Sequence, residues 1–175
     1  MFPIYRVLVA LLIVVFLGFG SSFAYAQATE IFTAKVTRVF DGDTIEVLTS
    51  QKNTLRVRLA EIDAPERDQP FGQESKKSLS ELLLNKQITL VKLGVDNHGR
   101  VLGRVFRTSG DASWQMVRQG NAWAYDRYIS DQAFLGLEKK AQETKSGLWA
   151  LDASKQEQPE TWRHEHEAEK KKVGK

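Results

Sequence analysis

Charged residues gather at the two ends of one short stretch of the chain. Asp41 and Asp43 lie at its start, Asp63 and Glu66 lie at its end, and Arg58 lies between them. Two strand-like runs separate the ends, and if these runs pair as a hairpin, the carboxylates meet beside the arginine. Carboxylates suit a hard divalent cation, and arginine suits phosphate oxygens. The residue types therefore predict a site for a cation and a phosphate ester.

Each of these groups also has an ordinary structural interpretation. The segment 41–43 is compatible with a simple hairpin turn, and Asp63 beside a proline is compatible with turn capping. Arg56 and Arg58 share one face of a predicted strand, so the pattern does not separate a site residue from a solvated one. Arg100 follows a glycine and is also typical of an exposed turn. On residue types alone, both interpretations stay open.

The hydrophobic pattern predicts the elements that must position these groups. Strands are predicted over 31–40, 44–49, 54–62, 86–93 and 101–107, and an amphipathic helix over 71–85. Asp111 or Ser113 would cap a short helix, and Ser130 would cap a helix that reaches about Lys145. The segment 122–128 is predicted to be mostly extended. Five strands, three of them consecutive, and about three helices predict an α+β fold built on a five-stranded antiparallel OB-fold barrel.

The first 26 residues differ from the rest of the chain. Arg6 precedes an apolar run over 7–19, and Ala24-Tyr25-Ala26 is a small-x-small cleavage pattern. This order predicts a signal peptide over 1–26 and an exported protein, secreted or periplasmic. The apolar run is shorter than the ~20 residues that a spanning helix needs, so an uncleaved anchor is the less favoured alternative.

Length and composition place limits on the mature chain. Its predicted parts are one domain, 27–152, and a charged, solvated C-terminal tail, 153–175, within a chain of 175 residues. Because the chain has no cysteine, disulfides and thiolate metal sites are excluded. Residues 1–26 hold one basic and no acidic residue, so their removal lowers the net charge from +3 to +2. This balance permits a nucleic-acid ligand without requiring one.

Five motifs occur in a fixed order between residues 31 and 150. They are V-F-D-G-D-T (39–44), R-L-A-E-I-D-A-P-E (58–66), N-H-G-R (97–100), V-R-Q-G-N-A (117–122) and S-G-L-W (146–149). Together they resemble the staphylococcal nuclease (thermonuclease) family. The resemblance implies an OB-fold barrel with helices and a calcium-dependent phosphodiesterase that acts on DNA and RNA. It further implies a preference for single strands, a monomer, and no stable protein partner.

The resemblance implies roles for the charged residues of the first and second motifs. Asp43 and Asp63 would bind Ca²⁺ through their carboxylates, and Ala64 would bind it through the main-chain carbonyl. Family members often have threonine at the alanine position, and either residue supplies the same carbonyl. Glu66 would position or deprotonate the attacking water. Near a cation and two arginines, it would be a weak base, so we expect activity to favour alkaline pH.

The resemblance also implies which residues contact the substrate. Arg58 and Arg100 would hold the phosphate and stabilise the transition state. Tyr125 and Tyr128 fall in the segment where the family places substrate-contacting tyrosines. The alternative to an enzyme is a noncatalytic OB-fold protein of the cell envelope that binds nucleic acid. The presence of all the implied acidic and arginine residues disfavours that alternative.

Overall fold

A computed structural model of the chain describes residues 30–173, with side chains as far as residue 166. The predicted signal peptide lies outside the described residues. The strands in this range are β1 (Glu30–Val39), β2 (Thr44–Thr49), β3 (Thr54–Leu59), β4 (Ile62–Asp63), β5 (Gln87–Val95), β6 (Val101–Arg107), β7 (Gly110–Asp111) and β8 (Trp123–Ala124). The α-helices are α1 (Gly72–Leu83), α2 (Ala112–Arg118), α3 (Ala133–Glu143) and α4 (Pro159–Val173). Within the described part of the chain, none of the helices has the length and apolarity to cross a membrane.

Five strands close into a barrel. Strand β1 pairs antiparallel with β2 and β5, and these continue to β3 and β6 on either side. A parallel pair between β3 and β6, with Val57 opposite Val101, closes the barrel. The predicted α+β class with a five-stranded barrel is confirmed. The closing pair makes the barrel mixed, and the described range holds four α-helices.

The barrel core explains why these runs form strands. Their inward residues are apolar and fully buried, and they include Val36, Val47, Val57, Leu90 and Val105. Helices α1 and α3 cover the barrel with Leu79, Leu83 and Phe134, which are also fully buried. Burial of each such side chain contributes about 1.5–3 kcal/mol, so the strand ends are held on a stable frame.

Two predicted boundaries are wrong for identifiable reasons. The third strand is predicted to reach Ile62, but it ends at Leu59 because Glu61 takes a left-handed φ of 68°. Strand β4 then pairs with β8 instead of continuing the barrel. Ser130 does not cap a helix, because its hydroxyl donates a 2.5 Å hydrogen bond to the Glu61 carboxylate. Helix α3 begins at Ala133 instead.

Helix α4 lies within the predicted charged tail and docks on the domain. Pro159 at its start is buried. The Gln69 side-chain amide donates a 2.6 Å hydrogen bond to the carbonyl of Glu157, just before the helix. Arg127 and Glu160 form an ion pair at 3.1 Å. These contacts bring the first turns of α4 toward the loop that follows β4.

Candidate active site

Two buried carboxylates meet beside one arginine. In the register of β2 and β3, Thr44 lies opposite Arg58, so Asp43 ends up beside the arginine. Strand β4 brings Asp63 to the same place. The Arg58 Nη2 atom lies 3.1 Å from Asp43 Oδ2 and 2.8 Å from Asp63 Oδ1. The hairpin therefore joins carboxylates that are far apart in sequence.

The other terminal nitrogen of Arg58 is also used by the protein. Its Nη1 atom donates hydrogen bonds of 2.8 Å to the carbonyls of Leu59 and Ile62. These carbonyls flank the turn at Glu61, so the guanidinium fixes the turn and the carboxylates together. Arg58 thus has a structural role that its predicted contact with phosphate did not include.

The turn before β2 orients Asp43. Asp41 Oδ1 accepts hydrogen bonds from the amides of Asp43 (3.1 Å) and Thr44 (2.7 Å). A Cβ atom at Gly42 would meet the Ser75 hydroxyl oxygen at 1.9 Å, so only glycine lets the turn approach α1 this closely. Burial, and then the negative charge of Asp43, raises the pKa of Asp41 to about 7.

Ala64 is held against Asp43 by its main chain. The Ala64 amide donates a 2.7 Å hydrogen bond to Asp43 Oδ2, and the Thr44 hydroxyl donates one of 3.0 Å to Asp43 Oδ1. Ala64 is 3% exposed, and the proline after it restricts its backbone. The structure therefore brings three of the predicted metal-binding residues, Asp43, Asp63 and Ala64, to one place.

Glu66 is linked to the same site by hydrogen bonds of Arg163, a residue for which the sequence predicted no role. Arg163, on α4, donates a 2.7 Å hydrogen bond to Glu66 Oε1. Its two terminal nitrogens also contact both oxygens of Asp63, at 3.2 and 2.9 Å. Burial by itself would lower the pKa of the Arg163 guanidinium, but the hydrogen bonds to Asp63 and Glu66 outweigh burial and raise that pKa. Burial raises the pKa of Asp63, and the hydrogen bonds from Arg163 oppose that rise.

Arg100 stands at the same end of the barrel, on the turn between β5 and β6. Its Nε atom donates a 2.7 Å hydrogen bond to Asp96 Oδ2, and its Nη1 atom lies 3.5 Å from the Thr44 hydroxyl. Burial by itself would raise the pKa of Asp96, but the hydrogen bonds from Arg100 outweigh burial and lower that pKa. Among the described residues, the Nη2 atom of Arg100 has no hydrogen-bond partner, so this edge is available to an anion.

The two tyrosines form a pair, and one of them lies near Asp63. Strand β8 pairs with β4, and the Tyr125 amide donates a 2.9 Å hydrogen bond to the Glu61 carbonyl. The Tyr125 and Tyr128 rings meet edge to face at 4.9 Å. Tyr125 and Asp63 line one cavity of about 180 Å³, which also touches the start of α4. Tyr128 is 59% exposed, so its ring offers a face to solvent.

A family model described as a staphylococcal nuclease homologue matches residues 56–151 of this chain. The chain belongs to the staphylococcal nuclease family. An "Uncharacterized endonuclease" of Haemophilus influenzae is 41% identical over 140 residues, which cover 80% of this chain and 78% of that protein. A "Micrococcal nuclease" of Shigella flexneri is 38% identical over 143 residues, covering 75% of this chain and 80% of that protein. The "Protein ParB" of Escherichia coli is 36% identical over 142 residues, covering 75% and 78%.

The donor set of this staphylococcal nuclease family member suits a hard cation. Asp43 and Asp63 are close enough to share one nitrogen of Arg58, and burial, together with the negative charge of Asp43, raises the pKa of Asp41 beside them. Within residues 30–166, no group of three or more acidic, histidine or cysteine side chains is arranged to hold a metal. A cation with two carboxylates and one carbonyl would therefore keep several waters. The catalytic and metal-binding roles of these residues stay predictions.

Proposed function

We propose that this family member is a calcium-dependent endonuclease that hydrolyses phosphodiester bonds in DNA and RNA, with a preference for single strands. The observation that carries the proposal is the contact of one Arg58 nitrogen with both Asp43 and Asp63. This contact gathers two oxygen donors and a guanidinium at one end of the barrel, which is the composition that phosphodiester hydrolysis needs. The names of the relatives, endonuclease and micrococcal nuclease, support the same class of reaction.

The carboxylates and the glutamate have separate tasks in this proposal. Asp43, Asp63 and the Ala64 carbonyl would hold Ca²⁺, which supplies a Lewis acid for the phosphate oxygens when bound. Glu66 lies on the loop after Pro65, and its side chain is 37% exposed. Such a position admits water, so Glu66 orients the nucleophile and accepts its proton.

The two arginines compensate charge in different ways. Arg100 presents the edge of its guanidinium and binds a phosphate oxygen, which becomes more negative in the transition state. Arg58 holds the two carboxylates at the spacing that the site needs, and adds positive charge beside the phosphate. The exposed ring of Tyr128 and the neighbouring Tyr125 favour stacking with unpaired bases, which supports the preference for single strands.

The test is cleavage of a labelled single-stranded oligonucleotide by the chain that begins at Gln27, with Ca²⁺ and then with excess chelator. We expect Ca²⁺-dependent cleavage in the parent. Glu66→Gln and Arg100→Gln should each lower kcat by about 10²–10³-fold, the usual cost of losing one such group. Glu74→Gln and Arg118→Gln change exposed residues of α1 and α2 and are the matched controls.

Two results would contradict the proposal. Cleavage that persists in chelator would remove the calcium requirement. Binding of the oligonucleotide without any cleavage would instead identify a noncatalytic OB-fold protein that binds nucleic acid.

We also propose that the mature protein begins at Gln27 and is exported to the periplasm or the medium. The support is the order of the charged, apolar and small-residue segments in 1–26. Sequencing the N-terminus of protein recovered from each cell fraction tests it. An intact N-terminus in the membrane fraction would identify an uncleaved anchor.

A further inference from the structure

A cluster of arginines beside Arg100 has no task in the proposed hydrolysis. Arg38 on β1 and Arg56 on β3 both place their guanidinium groups over the ring of Phe40, at 4.7 and 4.1 Å. A cavity of about 210 Å³ lies next to this ring. Its lining consists of Phe40, Asp41, Thr44, Arg56, Arg67 and Arg100.

Two of these arginines lie opposite an acidic residue without forming an ion pair with it. Glu46 on β2 lies opposite both Arg38 and Arg56 in the strand register. Its carboxylate nevertheless accepts a 3.0 Å hydrogen bond from Thr37 and forms no ion pair with either arginine. Within the described part of the chain, Arg67 has no ion pair either. Cation–π contact holds two of these guanidinium groups in place without neutralising them.

We propose that this cavity is a second phosphate site, which binds a phosphodiester of the same polynucleotide strand next to the one held by Arg100. The inference rests on the proposed function, since Arg100 is shared by the two sites. A phosphodiester is a single anion with two charged oxygens, and Arg56 and Arg67 offer forked donors to it. Thr44 and Asp41 complete the polar lining. Because Asp41 is the only acidic residue in that lining, the cavity has a net positive charge.

The site has a measurable signature in the salt dependence of binding. The slope of log K against log salt is negative, and for a single strand each phosphate that the protein no longer neutralises makes it shallower by about 0.7. Binding of a short single-stranded oligonucleotide to the full chain, measured in chelator to prevent cleavage, gives this slope. We expect Arg56→Gln and Arg67→Gln each to reduce the slope by about that amount, and to weaken binding several-fold. Phe40→Leu should weaken binding less than either arginine substitution does. Leucine keeps an apolar side chain at this position but lacks the ring that contacts the guanidinium groups.

A comparison of substrates separates this site from the catalytic one. Bis(p-nitrophenyl) phosphate has one phosphodiester and no neighbour, so the loss of kcat/KM in Arg56→Gln should be several-fold larger for the oligonucleotide. Arg118→Gln, on the exposed face of α2, is the control for removal of one charge. Equal slopes in Arg56→Gln, Arg67→Gln and Arg118→Gln would overturn the site while leaving the proposed nuclease activity intact. If the parent does not cleave but its salt slope still differs from that of Arg56→Gln, the result would support the site and contradict the activity.

A second, independent observation concerns Arg163. Its guanidinium contacts both oxygens of Asp63 and one oxygen of Glu66 at 2.7–3.2 Å. Arg58 also donates a 2.8 Å hydrogen bond to Asp63 Oδ1. The Asp63 side chain is only 4% exposed. A cation therefore reaches Asp63 only if Arg163 leaves it.

We infer that helix α4 is autoinhibitory, and that Arg163 and the divalent cation compete for Asp63. The helix is also held in place by contacts that involve neither the Asp63 nor the Glu66 carboxylate, between Gln69 and Glu157 and between Arg127 and Glu160. Arg163 can therefore leave the carboxylates while the start of the helix stays docked. In the docked state, Arg163 also donates a hydrogen bond to one oxygen of Glu66, the group that would accept a proton from water.

Calorimetric titration of the full chain with Ca²⁺ tests the competition without reference to activity. We expect Arg163→Gln to bind Ca²⁺ at least ~5-fold more tightly than the parent, a coupling at the low end of the usual range. Arg163→Lys, which keeps the charge but loses the fork, should lie between them. Glu165→Gln, on the exposed side of the same helix, is the control. In the parent, Ca²⁺ should increase amide hydrogen exchange in α4.

The outcomes distinguish this inference from the proposed calcium dependence. Parent and Arg163→Gln chains that bind Ca²⁺ equally would overturn the competition while leaving the calcium site intact. Weaker binding by Arg163→Gln would show that Arg163 assists the site, which also overturns it. If neither chain binds Ca²⁺ at millimolar concentration, both the calcium dependence and the competition are wrong.

Discussion

The guanidinium of Arg58 lies 2.8 Å from the carboxylate of Asp63, and both of its terminal nitrogens are already engaged by the protein. Its Nη2 atom also contacts Asp43, and its Nη1 atom donates to the carbonyls of Leu59 and Ile62. Arg100 differs, since one edge of its guanidinium has no partner among the described residues. The two arginines should therefore respond differently to the same substitution.

Arg58→Gln should reduce both stability and activity. Removing the guanidinium leaves two buried carboxylates facing each other, and breaking a buried pair of this kind costs about 3–5 kcal/mol. Denaturant unfolding in chelator measures this loss. Cleavage assays on the fraction that remains folded measure the second effect.

Arg100→Gln should reduce activity while leaving stability within about 1 kcal/mol of the parent, because its ion pair with Asp96 is partly exposed. The same unfolding and cleavage measurements apply. Equal losses of stability in Arg58→Gln and Arg100→Gln would contradict the structural role assigned to Arg58.

Glu61 links the turn after β3 to the segment that carries the tyrosines. Its Oε1 atom accepts hydrogen bonds from the Ser130 amide and hydroxyl and from the Asp131 amide, and Arg104 lies 3.5 Å from its Oε2 atom. We expect Glu61→Ala to lower the free energy of unfolding by about 3 kcal/mol, since it removes the buried carboxylate that accepts these hydrogen bonds and leaves Arg104 without this partner.

Glu61→Gln is the matched variant, because its amide oxygen still accepts from Ser130. It should cost less than the alanine substitution. Hydrogen exchange should show increased opening of residues 125–131 in Glu61→Ala. Unchanged exchange there would mean that the tyrosine segment is held by other contacts.

The barrel was largely predictable because its strands follow the period of two. The predicted bounds of β2 and β6 agree with the structure, and the core follows their alternation. The convergence of Asp43 and Asp63 beside Arg58 also followed from pairing β2 with β3. The end of β3 was not predictable, because glutamate gives no signal for the left-handed backbone that Glu61 adopts.

The contacts of Arg163 could not be predicted for a different reason. It is separated from Asp63 by 100 residues, and ion pairs leave no periodic pattern in sequence. The tail around it is rich in Lys, Glu and His, a composition that equally predicts a solvated segment. The stacking of Arg56 on Phe40 likewise depends on strands β1 to β3 being side by side.

Asp41 should make stability depend on pH. Its pKa rises from the ordinary value of 3.8 to about 7 in the folded chain, chiefly through burial. A raised pKa means that the stabilising contribution is fully present below pH 3.8 and is lost as pH rises through about 7. At pH 8, the loss is at most about 4 kcal/mol, at 1.36 kcal/mol for each unit of pKa.

Asp41→Asn keeps an oxygen that can accept from the Asp43 and Thr44 amides but cannot ionise. In chelator, its free energy of unfolding should exceed that of the parent at pH 8 and match it at pH 4. Asp41→Ser is the second variant, because an Asn-Gly pair deamidates. A smaller fall in the free energy of unfolding with rising pH should remain in both variants, since burial also raises the pKa of Asp63. Curves parallel to that of the parent would contradict the role of Asp41.

The S-G-L-W motif docks the chain after α3, and Gly147 explains why glycine is needed there. Its φ is 59°, and a Cβ atom would meet the Gly120 carbonyl oxygen at 2.2 Å. Gly99 has a φ of 75°, but a Cβ atom there would have no neighbour within 4 Å, so the two glycines differ mainly in steric contact. Gly99→Ala should cost about 1–2 kcal/mol from the backbone alone. Gly147→Ala should cost a further ~1–3 kcal/mol from the close contact. Midpoints of denaturant unfolding measure both, and equal losses would show that Gly120 and Gly147 can separate without loss of stability.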